Sequence, residues 1–437
     1  MKGLAEFLRD RNWSVSGSDT DPAPDIHSAL TRLGITLSRG HAAENVPPGT
    51  DVVLYSPAVS EQNIERQAAE RRGIPTLSYI EALGELTSQS RLIAIAGTHG
   101  KSSTTAMLGT ILQQARRSPT ILCGAESSDT GRNGTGGQGE ITIVEACEFR
   151  RHFLTLHPEI ICLLGIEPDH FDCYPTLESA VEAYAEFARR LPPTGTLVHR
   201  DDCPATCDAI RHGPARRISF SLRSRTADWQ AASLRPDGPK THFELLFQQR
   251  RIGQVTLPVP GEHNVLNAVA AAACAAAMGV SPDEIVSGLE AYRGLKRRME
   301  LKQAWRNSLV YDDYAHHPTE LRAAISTVRA MHPDRKLIAV FQSHQAGRTQ
   351  ALLTEFAVAL SLADEVLLLP IFAAREKAGE EHQQLAQKLR ERISVPVRWI
   401  STLDQVWGTL QTDAESRCVI LTLGAGNLTR VHHEPID

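Results

Sequence analysis

The chain has no run near the roughly 18–20 consecutive apolar residues of a membrane span, and no membrane insertion is expected. Against 51 Asp and Glu it sets only 46 Lys and Arg, a net charge of −5. It therefore lacks the basic excess that holds nucleic acid or an anionic membrane surface. Cysteine is sparse and scattered, at 123, 147, 162, 173, 203, 207, 274 and 418, with no C-x-x-C pair. That excludes a disulfide framework in a chain of 437 residues, and the C-x-x-x-C of Cys203 and Cys207 reads as incidental. Internal repeats and low-complexity tracts are absent, and Gly131 to Gly139 reads as a flexible loop. Met1-Lys2-Gly3-Leu4-Ala5-Glu6 carries charge too early for a secretion signal. What remains is the expectation of a cytoplasmic, enzyme-sized protein of about two to four domains, with ordinary proportions of hydrophobic (42%) and charged (22%) residues.

Short β-like runs alternate with helical stretches throughout, the pattern of α/β architecture. Three blocks separate, at 1–88, 89–296 and 297–437. In the first, Met1 to Arg11 reads as a helix, Trp13 to Asp19 as a strand and turn, and Asp51 to Tyr55 as another strand. An acid after a second strand, here Asp19, is where a dinucleotide fold accepts ribose hydroxyls. The second block carries apolar runs at Leu92 to Ala96, Glu140 to Glu145 and Ile160 to Gly165. A helix at Leu177 to Leu191, a β-ribbon over Arg223 to Pro260 and an Ala-rich helix at Val265 to Met278 follow. The third reads as an open sheet from Leu309–Tyr311, Leu337–Phe341, Glu365–Leu369, Val395–Ile400 and Cys418–Leu421.

The most informative stretch is Ala94-Ile-Ala-Gly-Thr-His-Gly-Lys-Ser-Ser-Thr-Thr105. A strand ends at Gly97, a short turn contains Gly100, and a helix opens at Lys101-Ser102. Backbone N–H groups and the helix dipole at such a turn favour an anion. Lys101 adds a positive charge for phosphates, and Ser102 a hydroxyl where a phosphate-bound Mg²⁺ needs one. Only two residues separate Gly97 from Gly100, against four in the common G-x-x-x-x-G-K-[ST] pattern. Taken alone, the stretch is also compatible with a Gly-rich turn carrying an incidental lysine.

Two further strand ends carry chemistry, Val144-Glu145-Ala146-Cys147-Glu148 and Gly165-Ile-Glu-Pro-Asp-His170. Parallel strands bring their C-terminal ends to one edge, where Glu145 and His170 can both face the phosphate loop, a carboxylate and an imidazole suited to a divalent cation; taken singly, Glu145 is also compatible with a plain strand end and His170 with a turn cap. In Gly261-Glu-His-Asn264, Asn264 suits an adenine edge or a helix cap. Tyr311-Asp-Asp-Tyr-Ala-His-His-Pro-Thr-Glu320 offers two acids, Asp312 and Asp313, and two histidines, His316 and His317, to a metal or a ribose, or is a polar loop with a Thr cap. Phe341-Gln-Ser-His-Gln-Ala-Gly-Arg348 ends another strand, and Arg348 suits a carboxylate or phosphate. Leu423-Gly-Ala-Gly-Asn427 is a Gly-rich turn after the last strand.

With Ala96-Gly-Thr-His-Gly-Lys101, Ile166-Glu-Pro-Asp-His170, Glu262-His-Asn-Val-Leu-Asn267 and Asp312-Asp-Tyr-Ala-His-His-Pro-Thr-Glu320 in order, the chain resembles the Mur ligase family of peptidoglycan synthesis. Ser361-Leu-Ala-Asp-Glu-Val366 and Ala374-Arg-Glu-Lys377 add to the likeness, which spans nearly the whole sequence. The resemblance implies three α/β domains. These are an N-terminal Rossmann-like UDP-sugar domain lacking its first strand (1–88), a central P-loop ATP-binding domain (89–296) and a C-terminal Rossmann-like domain that brings the amino acid (297–437). It implies an ATP- and Mg²⁺-dependent ligase that joins L-alanine to UDP-N-acetylmuramate through an acyl phosphate. In the family pattern Gly97, Thr98, His99, Gly100, Lys101, Ser102 and Ser103 form the ATP loop. Ser102, Glu145 and His170 hold the metal, and Lys101, Glu145 and His170 are catalytic. Asn264 meets adenine and Asp313 the ribose; His316, His344 and Arg348 surround the amino acid, and Ser18 and Asp19 the uridine.

The departures are specific. The family's first strand and G-x-G-G-x-G-M-type loop have no counterpart before Met1-Lys2-Gly3, so a start assigned at an internal Met and an incomplete uridine site are expected. Gly165 stands for an Asn, Cys147 and Asn427 each for an Asp, and Gln345 for an Arg that helps hold the amino-acid carboxylate. Losing one charge-assisted hydrogen bond costs roughly 1.5–3 kcal/mol. Two rival readings follow, a muropeptide-recycling ligase that attaches a tripeptide and a non-catalytic nucleotide- or UDP-sugar-binding paralogue.

Overall fold

The three apolar runs that end in chemistry lie side by side. In the computed structural model, which describes residues 1–213, 216–372, 379–411 and 413–432, they are neighbouring strands at the heart of the central sheet. Ala374 to Lys377, part of the sequence resemblance, lie outside the described residues.

The N-terminal block holds β1 (Ser16–Asp19), β2 (Thr36–Arg39), β3 (Val53–Tyr55) and β4 (Thr76–Ser78). As expected of a Rossmann-like block lacking its first strand, these strands form two parallel pairs. β1 pairs only with β2 and β3 only with β4, both in parallel, as two separate sheets. The preceding helix Lys2–Asp10 packs instead against the central domain. Its Glu6 carboxylate accepts the N–H groups of Asn133 and Gly134, both at 2.8 Å. Asp10 accepts from Gly136 N at 2.8 Å and from Arg132 at 2.7 Å. A side chain at Gly134 would run into the backbone of Gly3, so only glycine permits this approach. The stretch 131–139 is therefore not the free loop its glycines suggest. Its carboxylate partners lie 120 and more residues away in sequence, where local composition does not reveal them.

The central sheet is built from β5 (Arg91–Ala96), β6 (Thr120–Leu122), β7 (Gly134–Thr135), β8 (Ile141–Glu145), β9 (Ile160–Leu163), β10 (Thr196–Arg200), β11 (Arg217–Ser221), β12 (Trp229–Asp237), β13 (Lys240–Phe247) and β14 (Arg250–Leu257). Their order is β14-β13-β12-β11-β10-β9-β5-β8-β6-β7. The register sets Ile95 beside both Glu145 and Cys162, Ala96 beside Leu163, and His199 beside Leu163. The C-terminal ends of β5, β8, β9 and β10 thus share one edge. One face is covered by helices Lys101–Gln114, Glu262–Ala277 and Pro282–Ala291, the other by Leu177–Ala188 and the N-terminal helix. The run Ala270–Ala273 has zero exposure. Small side chains let that helix lie close on the sheet, where apolar burial stabilises by about 25 cal/mol per Å².

The C-terminal sheet holds β15 (Glu300–Trp305), β16 (Ser308–Asp313), β17 (Lys336–Phe341), β18 (Glu365–Leu368), β19 (Val397–Trp399) and β20 (Cys418–Leu423), in the order β15-β16-β20-β17-β18-β19. All pairings are parallel except β15 with β16, an edge strand absent from the sequence reading. Asp313, Leu423 and Phe341 are level, so Asp313, the Gly424 turn and Gln342-Ser-His344 share one edge. That edge faces the phosphate loop of the central domain.

Candidate active site

The phosphate loop is held open by two glycines. At Gly97 (φ +133) the backbone runs against Gly165, and Thr98 N donates to Gly165 O at 2.8 Å. Gly100 (φ +82) is the N-cap of helix Lys101–Gln114 and supplies no capping side chain. A side chain there would collide with the carboxamide of Asn267. The first-turn N–H groups, with the dipole behind them, make an anion site. Lys101 lies folded onto its own loop, donating to Gly97 O (2.6 Å), Thr98 O (3.1 Å) and Glu148 Oε1 (3.0 Å). Burial alone would lower its pKa, but Glu148 outweighs that and holds it above the ordinary value.

Ser102 and Ser103 are buried at the helix start. Glu145, at the end of β8, accepts Gly124 N at 2.6 Å. The backbone of His170 is strained into the left-handed region (φ +49), which sends its Nε2 to 3.6 Å from Glu148 Oε1. Glu148 thus sits between Lys101 and His170. It is buried and, despite the burial penalty, kept below the usual carboxylate range, mainly by Lys101. The sequence reading brings the helix start, Glu145 and His170 to the right edge but passes over Glu148. Its signal was present, as an acid three residues after Glu145 on the same strand end.

Across the cleft, the C-terminal domain seals against this edge. Thr319 Oγ1 donates to Glu167 Oε2 at 2.6 Å, His99 Nδ1 lies 3.1 Å from Glu320, and His317 Nε2 lies 3.2 Å from Pro168 O. Burial pushes the His99 imidazole down, but Glu167 and Glu320 raise it to about 9. Burial pushes Glu167 up, but His99 and Thr319 bring it to about 2. Arg348, buried on the short helix Ala346–Ala351, donates its Nε to Asp169 Oδ1 at 2.7 Å. His344 stacks on Phe372 at 5.6 Å and faces His316 at 6.2 Å. Burial pushes His316 down to about 4.

Between the domains lies a cleft of about 890 Å³, open to solvent, whose lining includes Gly100, Ser103, Asn264, Asn267, Arg298 and Asp313. Asn264 is not a helix cap. The cap is Gly261, and Asn264 is one turn in, donating to Pro260 O at 2.7 Å. Asp313 accepts Met299 N and Ala315 N, both at 2.8 Å, and burial raises it to about 6. The cap of helix Pro318–Met331 is the His317 ring, which accepts Thr319 N, rather than Thr319. Ser18 and Asp19 stand apart on β1, where Ser18 Oγ donates to Glu65 (2.6 Å) and lies 3.0 Å from His41 Nδ1. Among the described residues no hydrogen bond joins that network to the phosphate loop.

Family models cover nearly the whole chain. The Mur ligase family catalytic domain matches residues 1–91, the Mur ligase middle domain 95–275, and the Mur ligase glutamate ligase domain 297–426. A UDP-N-acetylmuramate–L-alanine ligase of Chlorobaculum tepidum is 37% identical, covering 99% of this chain and 91% of its own. One from Geobacter sp. is also 37% identical, at 99% and 93%. The chain belongs to the Mur ligase family. This Mur ligase has the fold of the UDP-N-acetylmuramate-alanine ligase of Thermotoga maritima (TM-score 0.82, 23% identity, 99% of this chain and 94% of that one). A murein peptide ligase of Psychrobacter arcticus follows (TM-score 0.75, 25% identity, 99% and 94%).

Within this Mur ligase, Arg298 and two residues of the Glu262–Asn267 motif, His263 and Asn267, also line the cleft. Arg298 is half-buried and held above its ordinary pKa by Glu320 and Asp313 in spite of the burial penalty. Asn267 is packed on Gly100, and His263 is pushed down to about 4 by burial and by Arg298. Arg298 and Asn267 are set by contacts with distant elements, Glu320 and Asp313 in one case and Gly100 in the other, which spacing along one strand does not reveal.

Proposed function

We propose that this Mur ligase joins L-alanine to the carboxylate of UDP-N-acetylmuramate while ATP is split to ADP and phosphate, a cytoplasmic step in making peptidoglycan precursor. One observation carries the reading. The phosphate loop of the central domain and the Arg348–His344–His316 group of the C-terminal domain lie along one interdomain junction, joined by His99 to Glu320 and by Asp169 to Arg348. A phosphoryl donor and an amino acid can therefore meet there. The choice of L-alanine follows the full-length relatives, which carry that substrate in their names.

In the first step an oxygen of the muramoyl carboxylate attacks the γ-phosphorus and ADP leaves, giving an acyl phosphate. In the second, the neutral amine of alanine attacks the acyl carbon and phosphate leaves. The phosphate-loop N–H groups and Lys101 stabilise negative charge gathering on the γ-phosphoryl oxygens. Lys101 exchanges the Gly97 and Thr98 carbonyls for phosphate oxygens, and Glu148 holds the ammonium in reach. Asn264 orients the adenine and Asp313 the ribose. Arg348, its Nε fixed by Asp169, presents its remaining N–H groups to the alanine carboxylate.

The residues fit a Mg²⁺ ion. His170 Nδ1 is buried without a hydrogen-bond partner, Glu145 is a carboxylate at the same edge, and Ser102 opens the helix beside them. Ser102, Glu145 and His170 would hold the ion, which when bound supplies further neutralisation of phosphate charge.

Phosphate release measured with UDP-N-acetylmuramate and a panel of small amino acids tests the reading. L-Alanine is expected to give the highest kcat/KM. Release that depends on the L-alanyl-γ-D-glutamyl-diaminopimelate tripeptide, with none for alanine, would replace it with the recycling reaction.

A further inference from the structure

Arg200 is the last residue of β10. His199 is level with Leu163 in β9, so Arg200 comes off the sheet beside Leu164 and Gly165, at the edge that carries the phosphate loop. Gly165 leaves that space open. A Cβ on it would lie 3.5 Å from Arg200 Nη1 and 3.8 Å from its Cδ. The guanidinium therefore lies across the bare face of Gly165 and lines the cleft with Leu164, Phe220, Leu266 and Asn264. Its Nε donates to Asp202 Oδ1 at 2.5 Å, with the side chains 28% and 13% exposed. Among the described residues this is the only hydrogen bond the Arg200 side chain makes, which leaves its Nη donors uncommitted.

We propose that Arg200 is a specificity-determining contact to the purine ring of the bound nucleotide, an inference that rests on the ATP reading given above. Two features decide between the ring and the phosphates. Asp202 pairs the guanidinium and would repel a phosphate, whereas a neutral heterocycle meets no such penalty. The surroundings are also those of a ring. Leu164, Phe220 and Leu266 supply apolar wall and Asn264 an amide, while Lys101 and the helix start supply the charge for the phosphates. A guanidinium locked along one edge is a flat, pre-oriented cation that lies well on an aromatic face and donates in its own plane.

The test compares two inhibitors competing with ATP, ADP and inorganic tripolyphosphate, on the full-length protein and on Arg200→Ala and Arg200→Gln. Both variants are expected to raise the ADP inhibition constant about tenfold and to leave that of tripolyphosphate unchanged. A loss of general folding would weaken both inhibitors, and Arg200→Gln, which keeps the stem packed on Gly165, guards against it. Equal weakening of both inhibitors in the well-folded Gln variant would make Arg200 a phosphate contact and overturn the proposal. No change in either would overturn it as well. If ADP fails to compete with ATP on the unaltered protein, the nucleotide reading beneath it falls first.

Discussion

Arg348 and Asp169 lie in different domains, yet the guanidinium Nε sits 2.7 Å from the carboxylate and both side chains are buried. Burial would raise the Asp169 pKa, but Arg348 overrides it and holds the carboxyl far below its usual range. The same Asp169 oxygen accepts the backbone N–H of His170 at 2.7 Å. The ion pair thus links the amino-acid end of the site to the strained turn that aims His170 at Glu148.

Arg348→Ala leaves Asp169 buried without its cation, which costs about 3–5 kcal/mol when a buried pair is broken. The expected result is a KM for L-alanine raised more than tenfold together with a lowered melting temperature. Arg348→Lys keeps the charge but loses the fork, so it should recover stability more than KM. Steady-state kinetics and thermal melts of the two variants check this.

Glu148→Gln removes the charge that keeps Lys101 and His170 in register. A fall in kcat of about 10–100-fold is expected, in line with one charge-assisted bond of about 1.5–3 kcal/mol, with little change in the KM of alanine. Unaltered kcat would show that Lys101 needs no such partner.

The seam between the domains should depend on pH. His99 is raised to about 9, so its stabilising contribution is complete below its ordinary value near 6.5 and is lost as pH rises through 9. Glu167 is lowered to about 2, so its contribution is complete above its ordinary value near 4.5 and is lost as pH falls through 2. The melting temperature should therefore peak between about pH 4.5 and 6.5 and decline toward pH 9. In His99→Asn the decline from 6.5 to 9 should flatten, which melts at stepped pH would show.

In the proposed function Gln345, standing where the family pattern has an Arg, would leave the alanine carboxylate with Arg348 as its cation. Gln345→Arg should lower the KM for L-alanine by up to about tenfold, one weak charge-assisted bond, with kcat nearly unchanged. Titration of L-alanine at saturating ATP and acceptor gives the answer.

The core of the site was legible because each piece is local. Gly97, Gly100 and Lys101 mark a strand–turn–helix, and Glu145 and His170 end or follow apolar runs that parallel pairing brings to one edge. Glu148 and Arg298 were missed for a different reason. Their roles come from facing charges, Lys101 in one case and Asp313 with Glu320 in the other, which the fold brings together from separate elements. Stretch 131–139 failed in the same way, since Glu6 and Asp10 tie it down from far away in sequence. The N-terminal block reads as Rossmann-like without its first strand, and in the structure its strands stand as two parallel pairs, β1 with β2 and β3 with β4.

The central claim is that a carboxylate is activated by phosphoryl transfer at the Lys101 loop. UDP-N-acetylmuramate labelled with ¹⁸O in its carboxylate, turned over with ATP and L-alanine, tests it most directly by mass analysis of the released phosphate. One labelled oxygen should appear in that phosphate, and its formation should collapse in Lys101→Ala. Phosphate free of label, or full turnover by Lys101→Ala, would contradict the account.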